Sequence, residues 1–166
     1  MGYRLEAVLG GQVVLRSLAE PFAAARAVVL RCGVGMLPLT DELFDAVSER
    51  DGERQLGDVF WKFPAQGESL FGRWSRGGAV AYVEVDLFGG VGSQAAAVWE
   101  AGRRVMGPYL DESLTGPAHA WPVNAALARL GVRSEAGYGD LFAAVGLDCH
   151  RDTEEWVTHD GECCRR

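Results

Sequence analysis

The clearest hydrophobic pattern in the chain lies between two glycine pairs, over Ala79–Phe88. Every second residue from Ala81 to Leu87 is apolar, whereas the intervening positions include Glu84 and Asp86. A period of two predicts a half-buried β-strand, with one face on the core and the other, mixed face toward solvent. We therefore expect Glu84 and Asp86 to project together from the solvated face of this strand.

Shorter runs rich in β-branched and aromatic residues precede and follow this strand. They occupy Tyr3–Leu9, Ala27–Arg31, Val34–Leu39, Val59–Phe63, Ser93–Glu100 and Val105–Leu110. Short glycine-containing turns separate the last three strands, at Gly89–Gly92 and around Gly102. Turns of this kind predict hairpins, so these strands should form an antiparallel meander.

Helical spacing of apolar residues and suitable capping residues mark the remaining segments. The predicted helices are Gln12–Ala19, a helix capped by Thr40, a short one over Leu70–Trp74, Pro122–Leu130, Asp140–Val145 and a turn within Arg151–Val157. The order of elements predicts an α+β fold, with a mixed, mostly antiparallel sheet, a central three-strand meander and helices packed on one face. We expect one domain over residues 1–157 and a flexible tail over 158–166.

Length and charge exclude several function classes. The chain has 166 residues, which suits a single domain, and its net charge is −7, from 23 acidic and 16 basic residues. An acidic chain lacks the basic face that nucleic acid requires, but it favours encounter with a basic protein. No apolar run reaches the roughly 18 residues that span a bilayer. The N-terminus lacks the basic-then-apolar order of a signal peptide, so we expect a cytoplasmic protein with no membrane partner.

A glycine motif after the strong strand offers the first candidate chemistry. Residues 90–95 read G-x-G-x-x-A, and Asp111 or Glu112 follows at about the spacing of a ribose-binding acid. A dinucleotide site would require a helix to begin at Ser93, so that its N-terminus faces the pyrophosphate. Val98, Trp99 and the following turn favour a strand instead. We therefore interpret the motif as a hairpin loop.

Acidic and metal-compatible side chains offer two further candidates. The spacing of Glu84 and Asp86 is compatible with acid–base catalysis or with binding of a hard cation. The same two residues could equally form the acidic centre of a binding surface. Cysteine and histidine residues gather near the C-terminus, at Cys149, His150, His159, Cys163 and Cys164. Because neither a C-x-x-C pair nor a G-x-S-x-G nucleophile motif is present, we expect no catalytic residue, no bound metal and no cofactor.

The segment before the C-terminus is dense in polar side chains. Arg151 and Asp152 could belong to a recognition surface, or Asp152 could cap a helix whose Trp156 anchors the terminus on the core. The second interpretation is favoured for Trp156.

Several stretches resemble those of small, uncharacterised actinobacterial proteins, a group with no assigned activity. They are residues 2–7, 81–84, 88–99, 144–147 and 150–156. The pattern Phe88-Gly89-Gly90-x-Gly92-x-Gln94 also resembles some bacterial immunity proteins, which bind and neutralise a toxin. That second resemblance covers a short stretch only, and it implies a protein-binding role.

Two hypotheses follow for function. The first is a non-enzymatic protein-binding module, of immunity or regulatory type, that captures a basic partner through an acidic surface. Its expected contact residues are Glu84, Asp86, Gln94, Arg151 and Asp152, with Gly89, Gly90 and Gly92 in the loop. The alternative is a small-molecule or nucleotide-binding domain, which could be enzymatic, using the Gly90–Gly92 loop.

Overall fold

The described residues fold around an antiparallel sheet of six strands. The computed structural model describes residues 2–133 and 140–158. The strands are β1 (Tyr3–Gly11), β2 (Val28–Val29), β3 (Val34–Pro38), β4 (Val80–Phe88), β5 (Val91–Glu100) and β6 (Arg103–Asp111). Their order in the sheet is β2-β3-β1-β4-β5-β6, and each neighbouring pair is antiparallel. The predicted α+β class and three-strand meander, β4-β5-β6, are confirmed.

Within the described residues, six short α-helices accompany the sheet. They are α1 (Gln12–Ala19), α2 (Asp41–Val47), α3 (Gly67–Trp74), α4 (Pro122–Arg129), α5 (Leu141–Val145) and α6 (Glu155–Thr158). Thr40 caps α2 as predicted, since its hydroxyl accepts the Leu43 N–H at 3.2 Å. Among the described residues, no helix has the length and apolar character to cross a membrane. The predicted tail lies outside the described residues beyond Thr158.

Helices lie on both faces of the sheet, whereas the sequence predicted one. α4, α5 and α6 cover the face that carries Leu5, Val83 and Val98, and α1, α2 and α3 cover the face that carries Tyr82 and Trp99. β4 explains the difference, because residues 80–85 are buried on both of its faces. A strand that is enclosed on both sides loses the polar alternation that a half-solvated strand keeps.

The predicted strand at Val59–Phe63 is wrong, because this segment is a loop. Phe60 and Phe63 both point into the core, and a spacing of three residues cannot place two side chains on one face of a strand. The two rings stack at 5.4 Å, and Phe63 lies 5.5 Å from the ring of Tyr82 on β4. This aromatic cluster fixes the loop over the sheet.

The glycine motif forms a hairpin turn, as predicted. Phe88 pairs with Val91, so Gly89 and Gly90 are the two central residues, with φ angles of +59° and +82°. Positive φ at both positions is the geometry of a type I′ turn, which matches the twist of the flanking strands. Ser93–Glu100 is strand, so the helix that a dinucleotide fingerprint requires does not follow the motif.

Candidate functional site

The C-terminal segment Arg151–Thr153 reaches back to the beginning of β1. β3 pairs with β1 only from Ala7 onward, which leaves the first half of that strand open on one side. The Arg4 N–H donates to the Arg151 carbonyl at 2.7 Å, and the Glu6 N–H donates to Oγ1 of Thr153 at 3.0 Å. The segment therefore completes the sheet where β3 is too short, and it places Arg151 and Asp152 beside β1.

Two adjoining concavities lie at this end of the sheet. The first, which we term the hairpin cleft, has a volume of about 520 Å³. Its main lining residues are Tyr3, Phe88–Gly92, Gln94, Ser113, Trp121, Phe142, Asp148 and Arg151. The second, the acidic groove, has a volume of about 470 Å³ and is lined by Gly2, Tyr3, Arg4, Asp86, Arg151, Asp152 and Glu155. Tyr3 and Arg151 line both, so the two meet around the end of β1, the cleft on the face of Tyr3 and Leu87 and the groove on the side of Arg4 and Asp86.

Most of the residues predicted from the sequence meet on this surface. Asp86 and Asp152 lie in the acidic groove, Gln94 and the three loop glycines line the hairpin cleft, and Arg151 belongs to both. The structure adds Tyr3, Trp121 and Phe142, which sequence analysis had no means to place there. Tyr3 is separated from Phe142 by most of the chain, so only tertiary structure brings them together.

The tip of the β4-β5 hairpin exposes two large apolar side chains. Phe88 is 70% exposed and Val91 is 74% exposed, directly beside the cleft. Scattered exposed apolar residues are ordinary on a protein surface, but a pair next to a concave site is typical of an interaction surface.

Gln94 is the buried polar residue of the cleft, with only 4% of its surface exposed. Its Oε1 accepts the Val123 N–H at 3.1 Å, at the beginning of α4. That bond fixes the orientation of the amide, so Nε2 points away from α4. Among the described residues nothing accepts a hydrogen bond from Nε2, and the side chain lines the hairpin cleft.

Acidic groups outnumber basic ones in the acidic groove. Its lining contains three carboxylates, those of Asp86, Asp152 and Glu155, and two arginines, Arg4 and Arg151. Nε of Arg4 is 2.8 Å from a carboxylate oxygen of Glu6, which neutralises much of its charge. Asp86 is exposed, and its side chain forms no ion pair with another described residue. Counted over the described residues, the groove therefore carries net negative charge.

Glu84 is not part of this surface, which corrects the sequence prediction. It is fully buried, because the loop before α3 covers that face of β4. Its Oε1 accepts the Trp61 N–H at 2.7 Å, and its Oε2 accepts the Lys62 N–H at 2.7 Å. Burial raises the pKa of Glu84 to about 7, against the opposing effect of these hydrogen bonds. Glu84 anchors the loop and cannot reach a ligand.

Glu6 lies directly opposite Glu84 on the neighbouring strand, and sequence analysis missed it. Its carboxylate accepts hydrogen bonds from Thr153 at 2.6 Å and from the Trp61 indole at 2.7 Å. Burial acts to raise the pKa of Glu6, but these hydrogen bonds and Arg4 outweigh it and lower the pKa. Glu6 is therefore the ionised member of the pair, and it connects β1 with the C-terminal segment.

Within residues 2–133 and 140–158, no three histidine, cysteine or acidic side chains are grouped so that they could hold a metal. His159, Cys163 and Cys164 lie outside the described residues. Trp156 is buried, which confirms its predicted role as an anchor.

Comparison of the chain with protein-family models, with curated proteins and with solved structures finds no match.

Proposed function

We propose that this protein is a non-enzymatic binding module of immunity or regulatory type. Its partner is a basic protein, which docks on the hairpin cleft and the acidic groove. The observation that carries the proposal is the continuity of this surface: two exposed apolar side chains, Phe88 and Val91, lie next to a groove with excess negative charge. An apolar centre with a charged margin is the usual anatomy of a protein interface.

The scaffold beneath the surface supports the same proposal. β1 and β4 are central strands of the sheet, and the buried aromatic cluster packs against β4 on the face opposite the hairpin cleft. A rigid support reduces the entropy lost on binding, because few groups must be ordered.

The net charge of −7 supports a basic partner. Complementary charge accelerates diffusional encounter and disfavours acidic competitors. Cys32 is an exposed free thiol, which suits the reducing cytosol that we propose as the location of the protein.

Charge reversal tests the surface. A candidate partner captured by the wild-type chain is purified, and the complex is re-formed from two pure proteins and measured by calorimetry. We expect the double variant Asp86→Arg/Asp152→Arg to lose affinity roughly tenfold or more, because it replaces attraction with repulsion.

The matched control is Glu20→Arg/Asp58→Arg, which changes the net charge equally at exposed positions outside both concavities. We expect its affinity to stay within about twofold of wild type. An equal loss in both double variants would mean that only overall charge matters, and no loss in either would refute the proposed surface.

A second candidate is a small-molecule site in the hairpin cleft. The cleft volume of about 520 Å³ falls within the range of ligand pockets, and four aromatic side chains contribute to its walls. A thermal-shift screen with nucleotides and aromatic metabolites tests it, because a ligand of the native state raises the melting temperature by mass action.

A further inference from the structure

We infer that the hairpin cleft receives an aromatic anchor residue of the partner, and that Gln94 donates a hydrogen bond to a carbonyl oxygen of that residue's backbone. The inference depends on the proposed protein-binding function and names the chemistry that the surface recognises.

Gln94 supplies the polar part of the argument. Its Oε1 is committed to the Val123 N–H, whereas its Nε2 has no acceptor among the described residues and belongs to a side chain that lines the cleft. Nε2 is not one of the fully enclosed polar atoms that lack a partner, so it reaches the solvent of the cleft, where an acceptor supplied by a ligand can take the place of water. A backbone carbonyl is the acceptor that every peptide segment carries.

The walls supply the apolar part. Tyr3 and Phe142 meet edge to face at 5.5 Å, and Trp121 and Phe88 complete the lining. The Tyr3 hydroxyl donates to the Leu147 carbonyl at 2.8 Å, and the Trp121 indole N–H donates to the Gly116 carbonyl at 3.0 Å. With their polar atoms engaged, these rings offer apolar and aromatic contact, which favours an aromatic occupant.

The neighbouring groove decides between a peptide and a free small molecule. Tyr3 and Arg151 line both concavities, so a chain whose aromatic side chain fills the cleft continues into the acidic groove. A basic residue next to the aromatic one would then lie near Asp86 and Asp152. The occupant is thus a segment with an aromatic residue followed by arginine or lysine, and aromatic and arginine side chains are the usual hot-spot residues of interfaces.

Heteronuclear NMR titration with three probes tests the inference. The probes are the blocked dipeptides N-acetyl-Trp-Arg-amide and N-acetyl-Trp-Glu-amide, and indole, which has no carbonyl. We expect the first dipeptide to bind most tightly and to shift the amide signals of Gly89, Gly90 and the Gln94 side chain. Glutamate in the second dipeptide should weaken binding, because it meets the acidic groove.

Gln94→Glu is the decisive variant. It keeps the oxygen that accepts the Val123 N–H and replaces the donor by a second acceptor. We expect it to weaken the binding of both dipeptides by roughly fivefold or more, the order of one hydrogen bond, and to leave the binding of indole unchanged.

Phe88→Ser, at an exposed position where folding is not at risk, should also weaken the binding of the dipeptides. The matched variant Val13→Ser, 80% exposed and outside the cleft, should not.

Other outcomes overturn the inference. The first is that neither dipeptide shifts any signal at its solubility limit. The second is that Gln94→Glu weakens the binding of indole as much as the binding of the dipeptides. The third is that nucleotides and indole bind but the dipeptides do not. If Gln94→Glu and Phe88→Ser bind the purified partner as wild type does while Asp86→Arg/Asp152→Arg does not, the anchor is wrong and the proposed function stands. If no purified partner responds to the charge reversal, the proposed function fails by itself.

Discussion

At the scale of single residues, the buried pair Glu6 and Glu84 shows how the sheet holds two facing carboxyl groups. Like charges on directly paired positions repel, so one member must carry a proton. The hydrogen bonds of Tyr82 assign this proton to Glu84. The Tyr82 hydroxyl lies 2.7 Å from the Lys62 carbonyl and 2.8 Å from Oε2 of Glu84. Since the hydroxyl has one proton and the carbonyl none, a proton on Glu84 allows both hydrogen bonds to form.

Glu84 therefore makes stability depend on pH. The pKa of Glu84 is raised from 4.5 to about 7, so its contribution is complete below 4.5 and is lost as the pH rises through 7. In this window the free energy of unfolding should fall by up to about 1.4 kcal/mol per pH unit from this group alone. Glu6 stays ionised in the folded protein because its pKa is lowered, so it opposes this slope only toward pH 4.5, where the unfolded chain begins to bind a proton at this residue.

Glu84→Gln tests this dependence by urea unfolding at pH values from about 5 to 8. We expect the variant to lose the Glu84 slope. We also expect lower stability by about 1–3 kcal/mol, because one backbone N–H loses its acceptor. The control Asp86→Asn, at the exposed position two residues away, should keep the wild-type slope. A wild-type slope in Glu84→Gln would place the titrating group elsewhere.

At the scale of elements, the β4-β5 turn requires glycine because of its backbone conformation, and not because neighbouring atoms exclude a side chain. A Cβ at Gly89 or Gly90 would meet nothing within 4 Å, so only the positive φ angles oppose a side chain. Gly89→Val should lower stability by about 1–2 kcal/mol, the cost of the left-handed conformation. Gly89→Asn should be much better tolerated, since asparagine suits the first position of a type I′ turn. Equal melting temperatures for both variants would contradict this account.

The C-terminal segment is the second element with a clear test. Thr153 both accepts the Glu6 N–H and donates to the Glu6 carboxylate. Thr153→Val should therefore cost about 1–3 kcal/mol and accelerate amide hydrogen exchange at Arg4 and Glu6, with little change inside β5. Thr115→Val, at an exposed position, is the matched control. Unchanged exchange at Arg4 would show that the segment does not protect β1.

At the scale of the whole molecule, the net charge should appear in the kinetics of association. We expect the association rate constant with a basic partner to fall steeply as salt is raised, while the dissociation rate constant changes less. Stopped-flow measurements over a range of ionic strength check this. An association rate that does not depend on salt would remove the electrostatic part of the proposed function.

The sequence predicted the elements with strong local signals. The β4-β5 hairpin followed from Gly89 and Gly90 between apolar runs, and α2 followed from the Thr40 cap. Glu84 was misplaced because a period of two identifies the two faces of a strand but not what covers each face. Phe60 and Phe63 were misassigned because aromatic residues favour strands, while their inward direction depends on the distant rings of Tyr82 and Trp99. Gln94 was selected as a contact residue and lines the hairpin cleft, but its orientation depends on α4.

The position of Arg151–Thr153 beside β1 has a consequence for the order of folding. β1 is a central strand, yet the Glu6 N–H finds its partner, Thr153, 147 residues further along the chain. Contacts of such large sequence separation require closure of a long loop, so they form slowly and late. Tyr3 and Arg151 line both concavities, so neither concavity exists until this contact has closed. The proposed binding activity would therefore appear only at the end of folding, and a chain cut before residue 151 would be unable to engage a partner.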